Sequence, residues 1–110
     1  MEIKYNKEEG RLIIKILSEI DHHSCEYIKR KCDLEINKLR PKEMLFDLEK
    51  VDFMDSSGIG MILGRYKNVI RNNGTIGLIN VNKNVRRIFE MTGILKIINI
   101  YDNEKIEEVI

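Results

Sequence analysis

The chain has 110 residues, of which 43% are hydrophobic and 34% are charged, and its formal net charge is +1. This size and composition predict one folded domain, spanning residues 1–110, whose core needs no metal or disulfide. The balanced charge and the absence of Trp argue against a nucleic-acid-binding protein, because such proteins neutralise phosphates with basic residues and stack bases on aromatic side chains.

The apolar pattern predicts a hairpin of two strands followed by alternating helices and strands. Period-two alternation marks strands, and apolar residues three and four positions apart mark helices. The predicted order is ββαβαβαβα, an α/β fold with a mixed, mostly parallel sheet of about five strands and about four helices. In chain order the elements cover residues 2–6, 12–17, 22–39, 44–48, 56–71, 75–81, 83–91, 95–100 and 103–110.

Residues that begin or end helices support these boundaries. Asp21 and Asn82 precede two of the helices and have short side-chain oxygens that can accept backbone N–H groups. Pro41 cannot continue the first helix, and Asn73 and Gly93 tolerate the left-handed backbone that often follows a helix.

The two cysteines are expected to stay reduced. Cys25 and Cys32 lie on the same predicted helix, so their Cα atoms are about 10.5 Å apart along its axis. A disulfide needs Cα atoms within about 7 Å. The first residues contain no apolar run, and no stretch approaches the ~20 apolar residues of a membrane span. We therefore expect a soluble, cytoplasmic, monomeric protein that contacts no membrane.

The turn Asp55-Ser56-Ser57-Gly58 lies where a predicted strand has ended and a helix begins, which is where sites gather in α/β folds. Its simplest interpretation is a helix cap, by Asp55 or by one of the serines. However, two adjacent hydroxyls exceed what one cap requires. Gly58, Gly60 and Gly64 also leave much of one helix face bare, which permits close approach by another surface.

A phosphate on this turn would change the surface more than the fold. It adds about −1.5 to −2 charges, and a helix N-terminus accommodates an anion through its dipole and its free N–H groups. With Asp55 adjacent, the local surface would become strongly negative. A partner with an acidic or apolar patch would then be repelled.

The sequence does not match several known catalytic and binding motifs. A nucleophile elbow needs Gly two residues before the serine, but Met54 precedes Ser56 at that spacing. The segment Gly58–Gly60 lacks the Lys-Ser/Thr ending of a phosphate loop. Adjacent His22 and His23 would point about 100° apart on a helix, a poor metal-chelating arrangement, so a cap with an exposed first turn explains that segment better. Arg86-Arg87 is typical of a solvated helix face, although a partner contact there stays open.

Four segments together resemble the anti-sigma factor antagonist family of STAS domains. The resemblance covers essentially the whole chain, and the Asp-Ser-Ser-Gly turn with its Gly-Arg-Tyr-Lys continuation is its most specific part. The segments are Asp21-His22-His23, Phe53-Met54-Asp55-Ser56-Ser57-Gly58-Ile59-Gly60, Ile62-Leu63-Gly64-Arg65-Tyr66-Lys67 and Phe89-Glu90-Met91-Thr92-Gly93.

The resemblance implies a STAS fold and a regulatory role without enzymatic activity or a cofactor of its own. It implies that Ser56 is phosphorylated by the partner, an anti-sigma factor that is a serine kinase with its own bound ATP or ADP. The unphosphorylated form would bind this kinase and release a sporulation sigma factor, and a serine phosphatase would reset the switch. By resemblance and position, the predicted partner-binding residues are Asp21, Asp55, Ser57, Gly58, Gly60, Gly64 and Arg65, with Arg65 on an exposed flank and Ser57 assisting the helix cap.

Two other functions stay open on the sequence alone. The chain could antagonise the regulator of a stress sigma factor, or it could be a STAS module that uses the same turn to bind an anion or a nucleotide.

Overall fold

The fold is a five-stranded sheet with helices in the connections between its strands. A computed structural model describes residues 1–101. Strands β1 (Glu2–Asn6) and β2 (Arg11–Lys15) form an antiparallel hairpin, and β3 (Glu43–Asp47), β4 (Thr75–Ile79) and β5 (Asn99–Ile100) follow in parallel, in the spatial order β1-β2-β3-β4-β5. Parallel neighbours need crossover connections, which the helices supply. The predicted mixed, mostly parallel sheet is confirmed.

Three α-helices begin and end close to the predicted residues. They are α1 (His22–Leu39), α2 (Ser56–Arg71) and α3 (Lys83–Thr92). Asn82 caps α3, and Gly93 ends it with a φ of 75°. At the end of α1, Arg40 takes a left-handed φ of 47° just before Pro41. These boundaries follow the local capping chemistry that the sequence predicted.

The predicted strand over residues 95–100 is mostly wrong. The segment Ile94–Lys96 is a 3-10 helix, and only Asn99–Ile100 pairs with β4. The N–H groups of Ile97 and Ile98 both donate to the Ile94 carbonyl, at 3.1 and 3.0 Å. Ile94 and Ile98 are buried while Ile97 is half exposed. The buried residues are thus four positions apart, which is a helical spacing rather than the two-residue alternation of a strand. Residues 1–101 therefore contain three α-helices and one 3-10 turn, and the predicted helix 103–110 lies outside the described residues.

One apolar core lies between the sheet and the helices. Alternate residues of the central strands point into it, and the apolar stripes of the three helices cover them. Leu45 and Ile79 point to the opposite face of the sheet, where they pack with Ile13 and Tyr101. The main core contains the fully or almost fully buried residues Leu12, Ile14, Ile28, Cys32, Ile36, Met44, Phe46, Ile62, Val69, Leu78, Val85 and Phe89. This dense core makes a rigid base for the loops at the carboxyl ends of the strands.

Candidate functional site

Two chain segments lie side by side at the carboxyl end of the sheet. One is the loop between β2 and α1, and the other is the loop between β3 and α2. Ile20 and Met54 form an isolated parallel bridge between them. The structure therefore brings the start of α1, with Asp21, next to the start of α2, with Ser56. The family resemblance assigned both residues to one partner surface.

Asp55 caps α2. Its Oδ1 accepts hydrogen bonds from the backbone N–H groups of Ser57 at 2.9 Å and Gly58 at 3.2 Å. Its carbonyl accepts from the N–H of Ile59 at 3.2 Å. The sequence left the identity of the cap open between Asp55 and the serines, and the structure selects Asp55. Ser57 takes part through its backbone N–H.

The Ser56 hydroxyl is accessible. Ser56 is the first residue of α2 and is exposed, whereas Ser57 is half-buried. Within residues 1–101, no hydrogen bond holds the Ser56 hydroxyl. Since Asp55 supplies the cap, this hydroxyl can react without loss of the helix terminus. It is the better placed of the two serines for modification.

Asp21 begins α1 with a reciprocal cap. Its carboxylate accepts from the Ser24 N–H at 2.8 Å, and the Ser24 Oγ accepts from the Asp21 N–H at 3.1 Å. The hydrogen bond from the Ser24 backbone is the main reason that the pKa of Asp21 is lowered. Asp21 is exposed and negatively charged, and the bridge between Ile20 and Met54 places it beside the loop that leads to Ser56.

Glu19 ties the two loops together, a contact that the sequence did not predict. Its Oε1 accepts from the N–H of Asp52 and its Oε2 from the N–H of Phe53, each at 3.2 Å. On the other side of this loop, Asn82 Nδ2 donates to the Val51 carbonyl at 3.1 Å. The only local signal was that Glu19 stands two residues before the helix cap.

The three glycines of α2 differ in how closely other atoms surround them. A Cβ on Gly58 would lie 2.4 Å from Cγ of Met54, so Gly58 is needed for packing and is buried. Gly58 therefore lies beneath the surface of the isolated chain, and its role in supporting a partner surface stays a prediction. A Cβ on Gly60 or on Gly64 would meet nothing within 4 Å. Gly60 and Gly64 form a bare helix face, whereas Gly58, which was predicted to share it, does not.

Arg65 is not on an exposed flank. It is 5% exposed, and its Nε lies 2.8 Å from Oδ1 of Asp33 on α1. Within the described chain, Nε and Nη1 have no hydrogen-bond acceptor, so the contact is an ion pair rather than a directed hydrogen bond. Position 65 lies three residues after Ile62 and four before Val69, both fully buried, so helical periodicity already indicated the inner face.

A shallow groove of about 280 Å³ runs between α1 and α2. Cys25 borders it and donates from Sγ to the Ser57 carbonyl at 3.3 Å. This volume lies just under the range of about 300–1,000 Å³ that is typical of small-molecule sites. From α1 the groove is lined by His22, Cys25 and Lys29, and from α2 by Ser57, Gly60 and Gly64.

The cysteines and the metal-ligand residue types were the remaining candidate groups. Cys25 and Cys32 are free thiols, as expected. Burial raises the pKa of both, that of Cys32 to about 12, so neither is a thiolate nucleophile near neutral pH. In residues 1–101, no three His, Cys, Asp or Glu side chains are grouped so as to hold a metal ion. Among the helices described, none has the length and apolar composition needed to cross a bilayer.

Comparison with known proteins places this geometry in a family. The STAS domain family matches residues 2–106, and the chain belongs to that family. Within it, the chain is similar to the anti-sigma F factor antagonist of Paenibacillus polymyxa, at 36% identity over 94% of this chain and 89% of the relative. It is also similar to the anti-sigma-B factor antagonist of Bacillus subtilis, at 30% identity over 91% of this chain and 88% of the relative.

Solved structures agree with this placement. The unphosphorylated form of the anti-sigma factor antagonist SpoIIAA matches with a TM-score of 0.80 and 28% identity, over 98% of this chain and 94% of that chain. The phosphorylated form of the Bacillus cell fate determinant SpoIIAA matches with a TM-score of 0.72 and 26% identity, over 99% and 98%. These relatives are regulatory binding proteins, and the chain belongs with them rather than with enzymes.

Proposed function

We propose that this chain is an anti-sigma factor antagonist controlled by phosphorylation of Ser56. In the unphosphorylated form it binds an anti-sigma factor that is a serine kinase, and so releases a sporulation sigma factor in the cytoplasm. The observation that carries the proposal is the exposed Ser56 hydroxyl at the start of α2, beside a cap that Asp55 already supplies. The similarity to anti-sigma F factor antagonists supports it.

The proposed modification is a simple transfer. The Ser56 Oγ attacks the γ-phosphorus of ATP held by the kinase, the bond to the β-phosphate oxygen breaks, and ADP and the hydroxyl proton leave. A serine phosphatase later transfers the phosphoryl group to water. This chain supplies the acceptor oxygen and its exposure, and the nucleotide belongs to the partner.

The first turn of α2 would offer a phosphate on Ser56 few free N–H groups to bind its charge. Asp55 occupies the N–H groups of Ser57 and Gly58, two of the donors that would otherwise bind an anion there. A phosphate of about −1.5 to −2 charges therefore adds to the negative charges of Asp55 and Asp21 on one surface. A partner that docks on the uncharged surface would lose affinity through repulsion and desolvation.

The proposed roles of the surrounding residues follow from their exposure. Asp21 contacts the partner, and the bare face at Gly60 and Gly64 lets the partner approach α2 closely. Asp55 and Ser57 shape the start of α2. Arg65 acts from inside the protein, by pairing α2 with α1 through Asp33.

Phosphorylation by the cognate kinase tests the proposal. The purified protein is incubated with the anti-sigma factor encoded in the same operon and with ATP, and the phosphate is mapped by mass spectrometry. We expect one phosphate, on Ser56, which is absent in Ser56→Ala and retained in the matched control Ser57→Ala. A phosphate on another residue, or none although the two proteins bind, would contradict the proposal.

A stress sigma factor is the second candidate target. The 30% identity to the anti-sigma-B factor antagonist favours it as an alternative within the same mechanism. The neighbouring genes distinguish the two, because a sporulation sigma gene supports the first and a stress regulator gene supports the second.

An anion- or nucleotide-binding module is the alternative from another class. Calorimetry of the isolated protein with ATP and GTP tests it. Micromolar or tighter binding would favour this alternative, whereas no binding by the isolated chain agrees with a nucleotide site on the partner.

A further inference from the structure

Phe53 stands apart from the other phenylalanines of this protein. The chain has three, of which Phe46 and Phe89 are fully buried in the core. Phe53 is 61% exposed and lies three residues before Ser56, in the loop between β3 and α2. A large apolar ring is thus presented to solvent beside the proposed phosphorylation site.

The backbone that carries this ring is held on both sides. Glu19 accepts from the N–H groups of Asp52 and Phe53, and Asn82 donates to the carbonyl of Val51. The next residue, Met54, is 1% exposed and forms the bridge to Ile20. The loop is therefore fixed in place while its one aromatic side chain points outward.

This combination is typical of a binding anchor. A single exposed apolar residue on a protein surface is ordinary and needs no explanation. An exposed apolar residue on a rigid loop is a different case, because a side chain that is already positioned loses little conformational entropy on binding. Aromatic residues buried in partner pockets carry much of the affinity of many interfaces.

We propose that Phe53 is an apolar anchor that inserts into an apolar pocket of the anti-sigma factor, and that Glu19 is its positioning residue. This inference rests on the proposed function and adds to it the chemistry of the partner at this point. The contact lies next to Ser56, so the phosphate would be introduced at the edge of the same interface.

Binding measurements on matched variants test the anchor. The affinity for the anti-sigma factor of the same operon is measured by calorimetry with ADP, so that no phosphorylation occurs. We expect Phe53→Ala to weaken binding about 10- to 100-fold. Leu34→Ala is the control, because Leu34 is 60% exposed on α1, and it should bind like wild type. Both variants should keep the wild-type melting temperature, since each truncates a mostly exposed side chain.

Glu19→Gln tests the positioning role. A glutamine has one acceptor oxygen where Glu19 uses two, so hydrogen exchange should become faster at the amides of Asp52 and Phe53. Binding should weaken less than in Phe53→Ala. In the double variant the two losses should not add, because a mispositioned ring and a missing ring remove the same contact.

The outcomes separate this inference from the proposed function. If Phe53→Ala binds as tightly as Leu34→Ala while Ser56→Asp loses affinity, the proposed anchor role of Phe53 is wrong. The proposed phosphorylation switch at Ser56 is then still supported. Additive losses in the double variant would remove Glu19 from the positioning role. If the wild-type protein does not bind the anti-sigma factor, the proposed function and this inference fall together.

Discussion

Asp55 and Ser56 have different roles at the start of α2. Asp55 accepts from the N–H groups of Ser57 and Gly58, while the exposed Ser56 beside it has no hydrogen bond to its hydroxyl within residues 1–101. If the serine itself were the cap, its modification would cost the helix a hydrogen bond. Because Asp55 and not Ser56 is the cap, the proposed phosphate on Ser56 would leave these hydrogen bonds of the helix terminus in place.

The cap predicts a stability effect that is independent of any partner. Asp55→Ala leaves the N–H groups of Ser57 and Gly58 without their acceptor and should lower the free energy of unfolding by about 1 kcal/mol. Denaturant titration measures this change. Asp55→Asn, which keeps an acceptor oxygen, is the control and should cost less. Equal losses in both variants would show that the charge, and not the hydrogen bonds, stabilises the helix.

At the scale of the element, α2 has two unlike faces. Its inner face carries Ile62, Val69 and the buried Arg65, and it packs on the sheet and on α1. The face that borders the groove between α1 and α2 is bare at Gly60 and Gly64, although glycines inside a helix reduce its stability. The proposed docking on α2 would use this face, because a glycine has no side chain to keep another backbone away.

The two faces predict opposite effects of the same substitution. Gly58→Ala places a methyl group 2.4 Å from Cγ of Met54 and should destabilise the protein by about 1–2 kcal/mol, overpacking outweighing the helix gain. Gly60→Ala meets open space and should stabilise it by about 0.5–1 kcal/mol. Thermal unfolding of both variants checks the signs. A stabilised Gly58→Ala would mean that Met54 moves aside at little cost.

For the whole molecule, the proposed switch needs no change of fold. Ser56 is exposed at the start of α2, a helix whose inner face packs into the buried core. The proposed signal is a change of surface charge. A negative group at a helix N-terminus also interacts favourably with the helix dipole.

Ser56→Asp therefore should separate binding from stability. We expect it to weaken binding to the anti-sigma factor by about 100-fold, which corresponds to about 2.8 kcal/mol. Its melting temperature should stay close to that of wild type, and the Ser56→Ala variant should keep binding. Calorimetric titration and thermal unfolding of the three proteins measure both quantities. Unfolding of Ser56→Asp would contradict a purely local charge effect.

The local chemistry of the sequence predicted most of the elements. The caps at Asp21 and Asn82, the end of α3 at Gly93 and the bare face at Gly60 and Gly64 are all as predicted. Each depends on residues within about one turn of the chain, so the pattern in that stretch was sufficient. The position of Ser56 at the start of α2 belongs to the same group.

Only the tertiary structure decided how distant segments meet. Glu19 reaches Asp52 and Phe53 more than thirty residues away, and Gly58 is confined by Met54 and Ile20. The burial of Arg65 depends on α1 and its Asp33, and the 3-10 turn at Ile94–Lys96 replaces a strand that the apolar run alone suggested. Side-chain patterns specify which elements form, whereas the packing of those elements determines which side chains remain on the surface, because burial is a property of neighbours that lie far apart in the chain.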